Sequence, residues 1–523
     1  MIEAEIAAPS PVEAGLASAN LVKRVSKGIG ALSLSAALQV AGQVTIVPVA
    51  LYAWGKVRYG EWILLTGLVT FLRLTDLGLQ TFVVNNLCAS YARGERAEMQ
   101  HTLHSALRVQ IPLVLSVAVV FTMAVVLIPV NQALALQTVS HATFSAVAVL
   151  LVFELLIGVP MGVIAGIYRA TGRLARAGVI GAFQQGAIML FTVALILLHA
   201  DFITLAAIRV ALAVLFSVAI LYDLHHLYPW LSFWPSEGTW RNGLWMIGPG
   251  LFFIAIPLAD YLTNQFSLMV LQRSLSGGEV SRLATHRTVA NLAIMVSGLL
   301  TNTLWPELTA LHARGQSEPL IKTHRSLARL NLWLVGSVAF VMLPFIPLIY
   351  PSWTAGRLTI DGWTLTFLLS RILLWGIWSA SMTLMCAINR QKAVAGVLFG
   401  AAIVTSILSI ALIPVMGMSG AALAQLLGDA SLSAWLIPLL ATRETGDRFT
   451  KFVSQTASAL VLGILIPLTL GLIGWKFIHS ETVRLLILVP TISLLALGLM
   501  WKQLAAYERA HFFGLLKARF ANT

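Results

Sequence analysis

Apolar runs of about 20 residues, each closed by a charge, a proline or a glycine, recur along the whole chain. They predict spanning helices near 28–54, 61–91, 106–130, 142–168, 177–199 and 202–224. After a polar, tryptophan-bearing link they resume near 243–271, 284–310, 329–350, 362–388, 394–414 and 418–440, with two more near 453–475 and 483–501. The pattern is that of an all-α polytopic membrane protein with about 14 transmembrane helices. It divides into an N-terminal tail (1–27), a first lobe (28–225), an inter-lobe link (226–242), a second lobe (243–441), a further helix pair (442–502) and a basic amphipathic segment (503–523). That last segment is expected to lie along the membrane surface.

Composition agrees with the pattern. The 523 residues are 58% hydrophobic and 11% charged, with a mean hydropathy of +0.86, whereas soluble chains carry about a quarter charged residues. The first twenty residues hold Glu3, Glu5 and Glu13 before any Lys or Arg, so no cleavable leader is expected. Placing the N-terminus in the cytoplasm puts 23 of the 34 Lys and Arg on cytoplasmic segments and eight on the opposite side. That bias places both termini inside. It also accounts for the net charge of +13 without a nucleic-acid partner.

The chain repeats itself in its polar loops. The shift that sets Leu87 on Leu308 also sets Ala92-Arg93-Gly94 on Ala313-Arg314-Gly315, Ser105 on Ser326 and Arg108 on Arg329. A second match, 175–179 on 393–397, has nearly the same offset. Six spans separate equivalent points, and an even number preserves orientation. The expectation is two six-helix lobes related by a pseudo-two-fold axis along the membrane normal, with two helices appended.

No loop is long enough to fold a soluble catalytic domain, so the chemistry is sought within the spans, and the chain is read as a non-enzyme. Charges there cost about 2.5–3.5 kcal/mol at a helix centre and are expected to face protein or water. Arg209 and Arg371 occur in opposite lobes with no acid at helical spacing, which suits an anionic group such as phosphate; snorkelling helix ends would explain them as well. Arg287 is a candidate at the rim. Arg73 and Asp76 lie three apart and either neutralise each other or place Arg73 at the substrate. Glu154, with no basic partner at helical spacing, is a candidate for ion coupling. So is Asp260, three residues after Pro257, where freed carbonyls would help hold a cation. Asp429 is read as a structural polar group.

Other features read as architecture. Gly158, Gly162 and Gly166 make a smooth stripe for close helix contact. Trp230, Trp234, Trp240 and Trp245 suit a membrane-interface belt. His101 and His104 read as solvated loop residues, His225 and His226 point apart on a helix, and Cys88 and Cys386 read as inert buried thiols, so no metal site is expected. No phosphate-binding loop of the ATPase type is present.

Residues 59–98 resemble the signature of the polysaccharide and lipid-linked oligosaccharide transporters of the MOP superfamily, especially Wzx-type O-antigen flippases. The matching positions are Tyr59, Gly60, Trp62, Asp76-Leu77-Gly78-Leu79, Arg93 and Gly94. The resemblance implies a MATE-like fold. It also implies export of an undecaprenyl-pyrophosphate-linked glycan across the bacterial inner membrane by alternating access, coupled to H+ or Na+ and working beside other glycan-assembly proteins, with no cofactor. A lipid II flippase and a drug or metabolite cation antiporter share the fold and stay open as alternatives. An integral-membrane enzyme is the contrasting class.

Overall fold

The computed structural model describes residues 37–38, 41–42, 44–68, 76, 79–313, 315–343, 346–388, 390–478, 480 and 484–503. Arg73, the tail 1–27 and the segment 503–523, but for Gln503, lie outside the described residues. The described residues are helical, with short turns and no strand. Residues 44–68 are helical, followed by α1 (Leu79–Ala92), α2 (Arg96–Leu127), α3 (His141–Ala170), α4 (Leu174–Leu197) and α5 (Phe202–Leu227). Past the link come α6 (Trp240–Tyr261), a π-helical turn (Leu262–Phe266) and α7 (Ser267–Ser274). There follow α8 (Gly277–Ala313), α9 (Ser317–Met342), α10 (Ile346–Trp353), α11 (Gly362–Ala387) and α12 (Gln391–Met416). A second π turn (Asp429–Ser433) joins α13 (Met418–Gly428) to α14 (Ala434–Thr445). The chain continues through α15 (Phe449–Leu460), α16 (Ile466–Phe477) and α17 (Val489–Gln503).

Nine helical stretches among the described residues are long and apolar enough to cross a membrane. Several helices outrun their apolar windows: α2 starts at Arg96 and α9 at Ser317, each with a polar first turn. The apolar run 61–91 is not one described helix, since its described parts stop at 68 and resume at Leu79. There Asp76 accepts from the Gln80 N–H at 3.3 Å and serves the start of α1.

The repeat seen in the loops is a repeat of backbone. Gly94 (φ +76°) ends α1 and Gly315 (φ +67°) ends α8, each in the left-handed region that glycine enters freely. In both turns the next N–H reaches back along the helix, Glu95 to Ser90 O and Gln316 to Leu311 O, each at 3.0 Å. The turns before the second match are alike too, one residue out of its register: the N–H groups of Arg173 and Arg390 donate to Tyr168 O and Met385 O, each at 2.7 Å. Helix starts are capped alike, for Ser140 accepts from Thr143 N–H (3.2 Å) and Asp361 from Thr364 N–H (2.6 Å). The shift that superposes the loops also sets Ser140 on Asp361.

The chain forms two compact units. Unit 1 draws on Met1–Trp54, Leu65–Asn131 and Val139–Ile254, and unit 2 on Gly55–Leu64, Gln132–Thr138 and Ala255–Thr523. The core of unit 1 joins α1, α2 and α3 through Leu79, Val83, Leu103, Leu107, Val163 and Ile167. The glycine stripe works at two of its three positions, with Gly162 against the Gln80 side chain and Gly166 against Val84, while Gly158 faces open space. In unit 2 one core lies between α8, α9, α11 and α14, with Leu308, Leu327, Leu384 and Ile437 fully buried.

His104 is not solvated. It is fully buried, its Nδ1 accepting from Glu237 N–H (3.2 Å) and its Nε2 donating to Ser232 O (2.9 Å). With Ser105, which accepts from Thr239 N–H at 3.0 Å, it fastens the inter-lobe link onto α2. The link folding back over a polar turn is what buries it. Trp234, Trp240 and Trp245 remain exposed.

Replacing Gly166 by Leu drives a side chain into Val84, whose Cγ2 already occupies the place of the new Cβ. Such overpacking costs about 1–3 kcal/mol. The expected outcome is a lower melting temperature of the detergent-solubilised protein for Gly166→Leu and a near-native one for Gly158→Leu, read by thermal unfolding.

Candidate functional site

In unit 2, α6 would run on as one helix into α7, but the π turn at Leu262–Phe266 interrupts it just after Asp260. Such a turn shifts the hydrogen-bond register and presents carbonyls to neighbours. Two of these carbonyls are taken. Thr263 O accepts from Gln425 Nε2 at 3.2 Å and Asn264 O from Arg287 Nη1 at 3.1 Å. Asn264 also donates its side-chain amide to Asp260 Oδ1 at 2.7 Å. One asparagine thus sits between Asp260 and Arg287, bonding both and keeping the two charges bridged instead of directly paired.

From the other side, Arg371 of α11 meets α13 and its π turn. Its Nε donates to Asp429 Oδ2 at 2.8 Å, and its Nη1 to Gln425 Oε1 at 3.3 Å. Gln425 is fully buried, and Asp429 has 6% of its surface exposed, so the pair depends on protein partners for its solvation. Asp429 opens the second π turn. Gly428 allows the close approach there, since a Cβ on it would collide with Thr405 Oγ1. The result is one polar network of Asp260, Thr263, Asn264, Arg287, Arg371, Gln425 and Asp429, with two formal positive and two formal negative charges.

Unit 1 holds a separate pair. Arg209 on α5 grips Glu154 on α3 in fork geometry, Nε to Oε2 at 2.8 Å and Nη2 to Oε1 at 2.9 Å. Outside this pair, Asp76 accepts from Gln110 Nε2 at 2.7 Å.

These contacts correct two expectations and complete a third. Arg209 and Arg371 are not unpaired cations, since each holds a carboxylate from another helix. Glu154, with no basic partner at helical spacing, takes Arg209 from a distant point in the sequence. The carbonyls engaged beside Asp260 are those of the π turn, not of the turn before Pro257, and they accept from Gln425 and Arg287. Asn264, Gln425 and Thr263 were missed, since neutral polar residues near helix ends carry no signal of a site. Glu61 was missed too: it lies inside the motif Tyr59-Gly60-Glu61-Trp62, is fully buried, and accepts from the N–H groups of Gln137 and Thr138 and from the Thr138 hydroxyl. No metal-binding group of His, Cys, Asp and Glu occurs among the described residues.

No family model and no curated protein matches the sequence. Solved structures do match. One described as "Lipid II flippase MurJ, inward closed conformation" aligns over 90% of this chain and 98% of its own, with a TM-score of 0.67 and 12% identity. An inward-facing multidrug resistance MATE family transporter of the MOP superfamily aligns over 81% and 98%, with a TM-score of 0.60 and 13% identity. A MOP superfamily transporter from Pyrococcus furiosus aligns over 81% and 94%, with a TM-score of 0.51 and 14% identity. The chain is therefore a multi-pass, all-α membrane protein with the MATE-like fold of MOP-superfamily transporters.

Breaking a buried ion pair costs about 3–5 kcal/mol, while replacing both partners by apolar groups is often close to neutral. Arg371→Met is thus expected to destabilise the protein strongly, and Arg371→Met with Asp429→Leu to recover most of the loss. A double-mutant cycle of melting temperatures in detergent measures the coupling.

Proposed function

We propose that the protein flips a lipid-linked oligosaccharide, carried on a polyprenyl pyrophosphate, across the bacterial inner membrane by ion-coupled alternating access, both termini lying in the cytoplasm. The observation that carries this reading is Arg287. It sits in a helix of spanning length, and its one hydrogen bond among the described residues goes to a neutral carbonyl. The remaining donors of its fork are free to take phosphate oxygens, which match guanidinium spacing. Keeping a guanidinium in such surroundings without a carboxylate in contact is costly unless an anion visits it.

Asp260 is the coupling acid of this reading. Asp260 is exposed and its carboxylate is bound, among the described residues, to the Asn264 amide alone, so it has acceptor capacity left for a proton or sodium ion, and it shares Asn264 with Arg287. Ion and substrate then act on opposite sides of one residue, which gives them a route to influence each other. Asp429 serves to hold Arg371. Arg73 is proposed as a further contact to the headgroup.

Lipid II, the peptidoglycan precursor, is the second reading. Its support is that the lipid II flippase fold covers 90% of the chain, against 81% for the MATE transporter. A cationic drug is less well matched, because the acid most open to a ligand, Asp260, shares its partner with a cation.

The test is flipping in proteoliposomes. Hydrogen bonds to a charged group are worth about 1.5–3 kcal/mol, which is about ten- to a hundredfold in rate or affinity. Arg287→Gln is expected to slow flipping of a polyprenyl-pyrophosphate-linked oligosaccharide by that factor at unchanged reconstitution, and a lipid II substrate run in parallel separates the two readings. Undiminished flipping by Arg287→Gln removes the residue from the site, and wild-type transport of cationic drugs alone overturns the function.

A further inference from the structure

The ion pair of unit 1 differs from that of unit 2 in a way that bears on how an anion is taken up. The shift that superposes the polar loops sets the start of α3, His141, on the start of α11, Gly362. It brings the start of α5, Phe202, to within two turns of the start of α13, Met418. By that correspondence the fourth and sixth spans of each lobe are tied by one arginine and one acid, but the roles have changed helices. In unit 1 the acid is on α3 and the arginine on α5; in unit 2 the arginine is on α11 and the acid follows α13. With the starts of α5 and α13 aligned, Arg209 falls on Gln425.

That exchange leaves the unit 1 pair with less anchoring. Arg371 is held by Asp429 and by Gln425, which is itself tied to Thr263 O. Arg209 and Glu154 have each other as their only hydrogen-bond partners among the described residues. The unit 1 pair is also the more open one, with side-chain exposures of 26% and 16% against 16% and 8%. Helices α1, α2 and α4 pack on α3 as well. Their titratable groups sit towards helix ends: Cys88 and Tyr91 on α1, Arg96, Glu98, His101, His104 and Arg108 on α2, and Arg176 on α4, which is occupied by Asp223. Glu154 bonds to none of them.

A carboxylate gripping a guanidinium through two parallel bonds occupies the same fork that two phosphate oxygens fill. We propose that Arg209–Glu154 is an exchange site for a phosphate or pyrophosphate group: the anion displaces the carboxylate from Arg209, and Glu154 takes one proton from solvent as it leaves. This rests on the reading of the substrate as an anionic headgroup. The reason is charge balance. Glu154 released from its only partner is a lone carboxylate in a spanning helix, and the proton removes that charge. One negative charge gained by the fork is matched by that proton, so the charge the membrane-embedded site must carry on loading is lowered by one. Release runs in reverse: the proton returns to solvent and the carboxylate closes on Arg209 again.

The experiment uses the full chain in nanodiscs with farnesyl pyrophosphate as the probe, titrated calorimetrically near neutral pH in buffers of different ionisation enthalpy. Wild type is expected to take up about one proton more per bound probe than Glu154→Gln, and its affinity relative to that variant to rise by up to about tenfold per pH unit of acidification. Glu154→Gln binds more tightly, having lost the competing carboxylate, and Arg209→Gln binds far more weakly. Difference infrared spectra of the wild type, which need no variant to fold, are expected to gain a protonated-carboxyl band on binding. Equal proton uptake by wild type and Glu154→Gln, the absence of that band, or full binding by Arg209→Gln overturns the exchange while leaving the substrate reading intact. Failure of the probe to bind the wild type overturns the substrate reading and the exchange together.

Discussion

A charge inside hydrocarbon has to be compensated by its own protein, and this requirement organises both units. In unit 1 Arg209 and Glu154 meet it with a fork between α3 and α5. Unit 2 meets it with a network in which two arginines, two acids and three neutral polar residues share donors and acceptors. The energetic logic is the same in each, since an isolated ion in a low-dielectric interior loses several kcal/mol of solvation that only good geometry and extra hydrogen bonds restore. What differs is redundancy. Arg371 keeps Gln425 when Asp429 is lost, whereas removing one partner from the unit 1 fork leaves the other with none among the described residues.

The π turns explain how a helical membrane protein finds the extra acceptors. A regular helix spends its carbonyls on itself, so a spanning segment has little to offer a buried arginine or glutamine. The turn at Leu262–Phe266 releases Thr263 and Asn264, and the one at Asp429–Ser433 begins at the acid that Arg371 holds. Two of the four π turns among the described residues therefore lie at these charges, while the one at Val461–Leu465 is apolar. Helix distortion and intramembrane charge are two parts of one arrangement, the first supplying the polar contacts that make the second tolerable.

The spans were legible because apolar runs of fixed length have few alternatives in a chain this hydrophobic. The duplication was legible for a different reason. Its clearest trace was in polar turns, where a left-handed glycine after Arg93 and again after Arg314 constrains the local sequence, while apolar helix surfaces resemble one another by chance. The charged residues were legible as unusual, but not their pairing. Spacing rules detect partners three or four residues apart on one helix, whereas Glu154 and Arg209 are joined across two helices, as are Arg371 and Asp429. His104 shows the converse error, since its polar neighbours signalled exposure and the link that buries it lies far along the chain. Glu61 went unnoticed although it is flanked by the residues that carried the family resemblance.

Counting arginines does not distinguish an anion transporter from a cation transporter on this fold. The inventory in the spans is close to balanced, and fold likeness at 12–14% identity extends to flippases and drug transporters alike. The distinction lies in which charges a ligand can reach without breaking a bond the protein needs. Asp429 is spent on Arg371, and Glu154 on Arg209. Arg287 is bound to a carbonyl, the weaker competitor for a phosphate. On the proposed reading, an anion meets in Arg287 a guanidinium bound only to a carbonyl among the described residues, whereas a cation finds Asp260 already sharing Asn264 with a positive charge. Accessibility of donors, set by helix pairing and not by composition, is the ground on which the proposed anionic headgroup rests.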